Sequence, residues 1–176
     1  RIASRVGIPS EKVACTAFPL EALRKALSPQ DLAPVARVEG EVLASLGDEK
    51  GVKERLDCFF WKEIKGTPLG QAMERVRPMG GQRKVEALKR LAAQHRETPG
   101  NLVAVGDSIT DFKMLQAVKE AGGLAVAFNA NEYALPYATL GLASTSLADL
   151  EVGLRAWEVG GGAAAEKAVR ERERLG

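Results

Sequence analysis

The run Leu-Val-Ala-Val-Gly-Asp-Ser-Ile-Thr-Asp-Phe-Lys-Met-Leu at 102–115 constrains this chain more than any other stretch. Residues 102–105 are apolar and precede a glycine, the pattern of a buried parallel strand. Gly106 lets the backbone turn sharply where the strand ends. Asp107 and Asp111 then stand four residues apart, around Ser108 and Thr110. Phe112, Leu115 and Val118 recur at helical spacing, which predicts a helix over 112–121. Strand, turn, acidic loop and helix in that order predict an α/β fold with a parallel sheet, whose ligands bind beyond the carboxyl ends of the strands. Two carboxylates there suit Mg2+, a hard cation that takes oxygen ligands and keeps several waters. The plainer reading lets Asp107 end the strand and Asp111 cap the helix, which leaves Asp107 without a role.

The flanking sequence extends the same pattern. Leu124–Phe128 reads as a second buried strand, with a polar loop at 129–131 on the same edge as Asp107. Asn129 borders the site by that position. Residues 132–137 predict a short helix and 140–144 an edge strand. A helix over 146–159 would turn Leu147, Leu150, Leu154 and Trp157 inward. Gly160, Gly161 and Gly162 form a joint, and 163–175 a charged helix expected to be loosely attached and solvated. Upstream, Gln82–Gln94 is strongly amphipathic, with Val85, Leu88, Leu91 and Ala92 as its stripe. Lys84 lies in the first turn, where a cation opposes the helix dipole. Its removal should therefore cost little stability, and on this evidence alone it is an ordinary surface lysine. His95 ends that helix and is given no catalytic role.

The first half is less patterned. Residues 1–6 read as a last helical turn stopped by Gly7, 12–16 as a short strand and 21–27 as a helix. Residues 34–46 fit a helix face or a strand equally, and 48–55 is charged and solvated. The cluster Cys58, Phe59, Phe60, Trp61 and Ile64 reads as the core of a helical insert, or else as a substrate-covering cap or partner surface. Thr67 is a good N-cap with Pro68 in the first turn of a helix over 69–76. The punctuation at 77–81 separates insert from core. The expected division is a core segment at 1–17, a helical insert at 18–79, the main core at 80–160 and a charged tail at 161–176.

Composition narrows the function classes. Apolar residues make up 45% and charged residues 27%, with a net charge of +2. Nothing there points to nucleic acid or an anionic membrane as partner. No apolar run approaches the roughly 20 residues a membrane span requires. Two cysteines cannot build a disulfide framework, which makes a reducing cytoplasm the default. The chain opens on Arg1, as a fragment or processed chain would.

Gly106-Asp107-Ser108-Ile109-Thr110-Asp111 followed by Met114-Leu115 resembles the fourth motif of the haloacid dehalogenase superfamily, mostly magnesium-dependent phosphohydrolases with an aspartate nucleophile. Lys84, in Gly80-Gly81-Gln82-Arg83-Lys84-Val85, resembles the third motif. Ala125-Val126-Ala127-Phe128-Asn129-Ala130 resembles the strand and loop that follow in phosphoserine-phosphatase-like members, and the match runs from about 79 to 150. The resemblance implies a Rossmannoid three-layer α/β/α core with a parallel sheet plus a mainly helical insert. It implies that Asp107 ligates Mg2+ and that Asp111 supports the ion's waters or is a further ligand. Lys84 would hold the phosphate and nucleophile, so Lys84 and Asp111 are the catalytic candidates and Lys84 and Asn129 the substrate-binding ones. The substrate would be a small phosphorylated metabolite.

The chain departs from that family at two motifs. No Asp-x-Asp occurs in its 176 residues. The serine or threonine of the second motif has no clear match, Ser4 lying within a predicted helix. The nucleophile strand is therefore expected upstream of residue 1, and the chain by itself is expected to show little turnover. The competing reading is a non-catalytic scaffold, subunit or binding module.

Overall fold

The computed structural model describes residues 2–175, and its elements follow in chain order. They are α1 (Ile2–Arg5), α2 (Leu20–Ala26), α3 (Pro29–Ala44), α4 (Glu49–Cys58), α5 (Pro68–Glu74), α6 (Gln82–Gln94), β1 (Val103–Gly106), α7 (Phe112–Glu120), β2 (Leu124–Phe128), β3 (Leu140–Leu142) and α8 (Leu150–Leu175). The chain is mixed α/β and divides into two compact units, Arg1–Ala14 with Met79–Gly176, and Cys15–Pro78. No helix among the described residues is long and apolar enough to cross a membrane.

The first unit is built on a parallel sheet in the order β1-β2-β3. Ala104 stands beside Ala125, and Val126 beside Leu140. Parallel neighbours need a crossover, and α7 supplies it between β1 and β2. Alternation along β2 sends Ala125 to one face, where Ala104, Leu115, Val118 and Ala134 close a core with Leu88 packed against it. Leu124 and Val126 face the other way, toward Leu140 and Ala165, with Leu150, Leu154, Trp157 and Val169 around them. Helices thus cover both faces, and burying each such Leu or Val stabilises by about 1.5–3 kcal/mol.

Several expectations change here. Residues 12–16 join no strand of the sheet; Ser10–Lys12 is a single 3-10 turn, and Val13 is extended without a ladder. Lys12 and Ala14 line the same cavity as β1 without pairing with it, and local β preference is not enough where no ladder forms. The helix over 132–137 shrinks to one 3-10 turn at Leu135–Tyr137, and Leu147 is exposed. The carboxyl-terminal helix is not loosely attached. Gly160 and Gly161 leave helical geometry, and beyond them Ala165 is fully buried while Val169, four residues on, packs on the same core. Residues 1 and 176, included in the expected first helical turn and the tail, lie outside the described residues.

The second unit is helical. Val38, Phe59, Ile64 and Leu69 form its core, with Leu27, Val42, Leu56 and Met73 packed against them. Residues 34–46, open between helix and strand in sequence, belong to α3. Its start is fixed by a capping box in which Asp31 N–H donates to Ser28 Oγ and Ser28 N–H to Asp31 Oδ2. The charged 48–55 stretch is also helical, with Gly51 N–H donating to Asp48 at its start. Thr67 caps α5 by accepting from Gly70 N–H at 3.1 Å. Between α4 and α5 the chain makes a π-helical turn over Phe59–Glu63, with Ile64 N–H donating to Phe59 C=O at 3.1 Å. The wider turn divides the aromatic cluster, burying Phe59 and leaving Trp61 74% exposed.

Candidate active site

The site sits at the carboxyl ends of β1 and β2, and close backbone approach makes it. Asp111 folds back against the strand end so tightly that a Cβ on Gly106 would lie 2.5 Å from Asp111 Cβ. Only glycine allows that approach. On the other side, Gly81 at φ +52° ends the incoming chain and donates its N–H to Thr110 C=O at 2.9 Å. That contact delivers the first turn of α6 to the acidic loop.

Lys84 projects from that turn. Its Nζ donates to Asp111 Oδ1 at 2.5 Å and to Thr110 Oγ1 at 3.2 Å. The other Asp111 oxygen accepts from Asp107 N–H at 3.3 Å and Ser108 Oγ at 3.2 Å. Asp111 is 5% exposed. Burial pushes its carboxyl up, but the Lys84 hydrogen bond and charge, with hydrogen bonds from Asp107, outweigh it and hold the group below its ordinary value. Asp111 occupies the N-cap position of α7 without capping it by its side chain. The capping reading is thereby corrected, because Lys84 and the turn residues compete successfully for both oxygens.

The stability argument for Lys84 changes too. Its cation opposes the helix dipole, a penalty of about 0.3–1 kcal/mol, but it also neutralises a buried carboxylate. Removing one member of such a pair costs more than the dipole returns.

Asp107 is exposed beside this pair, and its carbonyl accepts from Asn131 N–H at 3.0 Å. Lys84, Asp107, Asp111 and Asn129 all line an open cavity of about 480 Å³, with Val105, Gly106 and Phe128. The structure therefore brings the four sequence candidates together. They differ in what their side chains do: Asn129 turns its amide to Ser144, donating from Nδ2 to Ser144 C=O at 2.7 Å and accepting from Ser144 N–H at 2.9 Å. Sequence reasoning gave no role to Ser108 or Ser144, and a hydroxyl in a turn carries no signal of which carboxylate or backbone it will meet.

Among the described residues, no three His, Cys, Asp or Glu side chains gather as a metal cluster. The donors present are two hard carboxylates, one already engaged by Lys84. Such a set fits a hydrated Mg2+ that keeps most of its waters, and does not fit a cage of protein ligands. Asp107 would hold the ion, with Asp111 behind it.

No family model matches the sequence, and no curated protein matches it. Among solved structures, gene product AF1437 from Archaeoglobus fulgidus is similar, with a TM-score of 0.67 and 26% identity over 94% of this chain. The chain spans about half of that protein, 50% of its length.

Proposed function

We propose that the chain is the metal-binding and phosphate-clamping portion of a magnesium-dependent phosphohydrolase. Its core would be the Rossmannoid α/β/α type of the haloacid dehalogenase superfamily, acting in the cytoplasm on a small phosphorylated metabolite through an aspartyl-phosphate. The observation that carries this reading is the reach of Lys84 Nζ, 2.5 Å from buried Asp111 and in the same cavity as Asp107. An ammonium fixed there faces the developing charge on a phosphoryl group, where a preorganised cation contributes most. Asp111 orients it, and Asp107 holds Mg2+, which supplies charge neutralisation at the phosphoryl oxygens when bound.

The attacking aspartate would come from outside these 176 residues. β1 is an edge strand among the described residues. A cavity of about 760 Å³ beside it is lined by apolar side chains such as Leu88, Leu91 and Val103, and by Lys84 and Asp111. A further strand laid there would end next to both charged groups. The rival reading, a non-catalytic scaffold, draws on the same pair, since Lys84 and Asp111 satisfy each other without substrate.

The test is hydrolysis of a generic aryl phosphate by the full-length protein across a Mg2+ titration. Asp107→Asn should lower turnover at least about 100-fold, an effect of about 2.7 kcal/mol, with the melting temperature kept. Unchanged magnesium-dependent turnover would remove Asp107 from the site. No turnover by the unaltered protein would favour the scaffold.

A further inference from the structure

We infer that Asn129 is a positioning residue, a latch that sets the acidic loop through the main chain, and not a group that touches substrate. Three observations carry this. First, both ends of its amide are used: Nδ2 donates to Ser144 C=O and Oδ1 accepts from Ser144 N–H. The side chain thus acts as one more rung between the ends of β2 and β3, beyond the bond from Asn129 N–H to Leu142 C=O at 2.9 Å. Second, Asn129 holds φ +46°, a left-handed conformation that asparagine tolerates better than most residues. The fixed turn aims the following backbone back across the sheet end. Third, two residues on, Asn131 N–H donates to the carbonyl of Asp107 at 3.0 Å, while Asn131 Oδ1 accepts from Tyr133 N–H at 3.2 Å.

The chain of contacts therefore runs from Ser144 through the Asn129 amide and the 129–131 turn to the backbone of Asp107. Its far end is anchored as well. Ser144 Oγ donates to the Asp149 carboxylate and accepts from Ser146 N–H at 3.0 Å. Asp149 immediately precedes α8, whose Ala165 is locked in the sheet core. An exposed loop carrying Asp107 is in this way tied to the rigid face of the sheet opposite α7. Outer contacts of this kind commonly matter about 10–100-fold for the group they orient.

The kinetic part of this assignment rests on the phosphohydrolase reading; the exchange part does not. Three variants of the full-length protein separate the possibilities: Asn129→Ala, Asn129→Gly, which suits the positive φ but has no amide, and Asn129→Asp, which keeps the acceptor for Ser144 N–H and loses the donor. Amide hydrogen exchange should quicken in peptides covering 106–111 as well as 129–131 and 143–145 for both Ala and Gly, with Asp intermediate and β2 unchanged. Faster exchange confined to 143–145 would overturn the relay to Asp107. So would a normal 106–111 loop in the glycine variant, because the backbone strain that alanine adds at a positive φ would then account for the alanine result by itself. In the aryl phosphate assay, Ala and Gly should lower kcat about 10-fold or more with KM within about twofold, and raise the Mg2+ needed for half-maximal rate. A raised KM at constant kcat would make Asn129 a substrate contact and overturn the inference. If the unaltered protein hydrolyses nothing, the phosphohydrolase reading fails while the exchange pattern still decides the latch.

Discussion

The sheet-bearing unit and the helical unit pair charges in opposite ways. In the first, Lys84 meets an aspartate that is 5% exposed, at the end of a strand. In the second, Arg55 contacts Glu41 and Glu63, and Glu63 also takes Arg37, all near the surface. The apolar cores differ in the same sense. Leu115, Val118 and Leu124 have no exposure at all, whereas the helical unit closes around Val38 and Phe59 but leaves Trp61 in solvent. The end of a parallel strand with helices on both faces buries the Asp111 carboxylate while Asp107 beside it stays exposed, and the small helix cluster leaves its paired carboxylates partly in solvent. Depth of packing, more than the presence of an ion pair, decides where a charge can be held for chemistry.

The largest effect should come from the core itself. Leu115→Ala removes a fully buried side chain and should cost about 3–5 kcal/mol, read as a denaturant midpoint shift at constant slope. Trp61→Ala in the other unit should move the midpoint little, since its side chain has few neighbours to lose. Equal losses would erase the contrast in packing depth.

Next comes the buried pair. Lys84→Met strands the Asp111 carboxylate and should cost about 3 kcal/mol, with the loss largely removed in the double variant Lys84→Met, Asp111→Leu. Arg55→Met should cost clearly less, because water solvates the released glutamates. Comparable losses would mean that the helical unit's ion pairs are as well shielded as the site.

The smallest effect is in pH. Burial raises the Glu63 carboxyl, but Arg55 and then Arg37 and Cys58 lower it further, leaving it below its ordinary value. A carboxyl lowered in the folded state contributes stability that is fully present above the unfolded value, about 4.3, and is lost as pH falls through the folded one. Melting temperature followed from pH 7 down to acid should show that loss, and Glu63→Gln should flatten it. Added salt should weaken the contribution, as it does for exposed charges. A profile unchanged by Glu63→Gln would show that the arginines around it add nothing.

Local pattern alone placed α6 at Gln82–Gln94, β2 at Leu124–Phe128 and the Thr67 cap. It also put Asp107 and Asp111 around a glycine turn between strand and helix. Those features depend on neighbours within one or two helical turns, where periodicity, capping and glycine geometry act directly. The structure alone decided the partners. Lys84 finds Asp111 across 27 positions, and Asn129 finds Ser144 across 15. The split of Phe59 from Trp61, the seating of Ala165 and the missing ladder at 12–16 were decided the same way. A side chain's donors and acceptors are visible in sequence, but which group competes best for them depends on backbones brought together by packing. The dipole argument alone made Lys84 a dispensable surface charge; only the burial of Asp111 beside it reverses that sign.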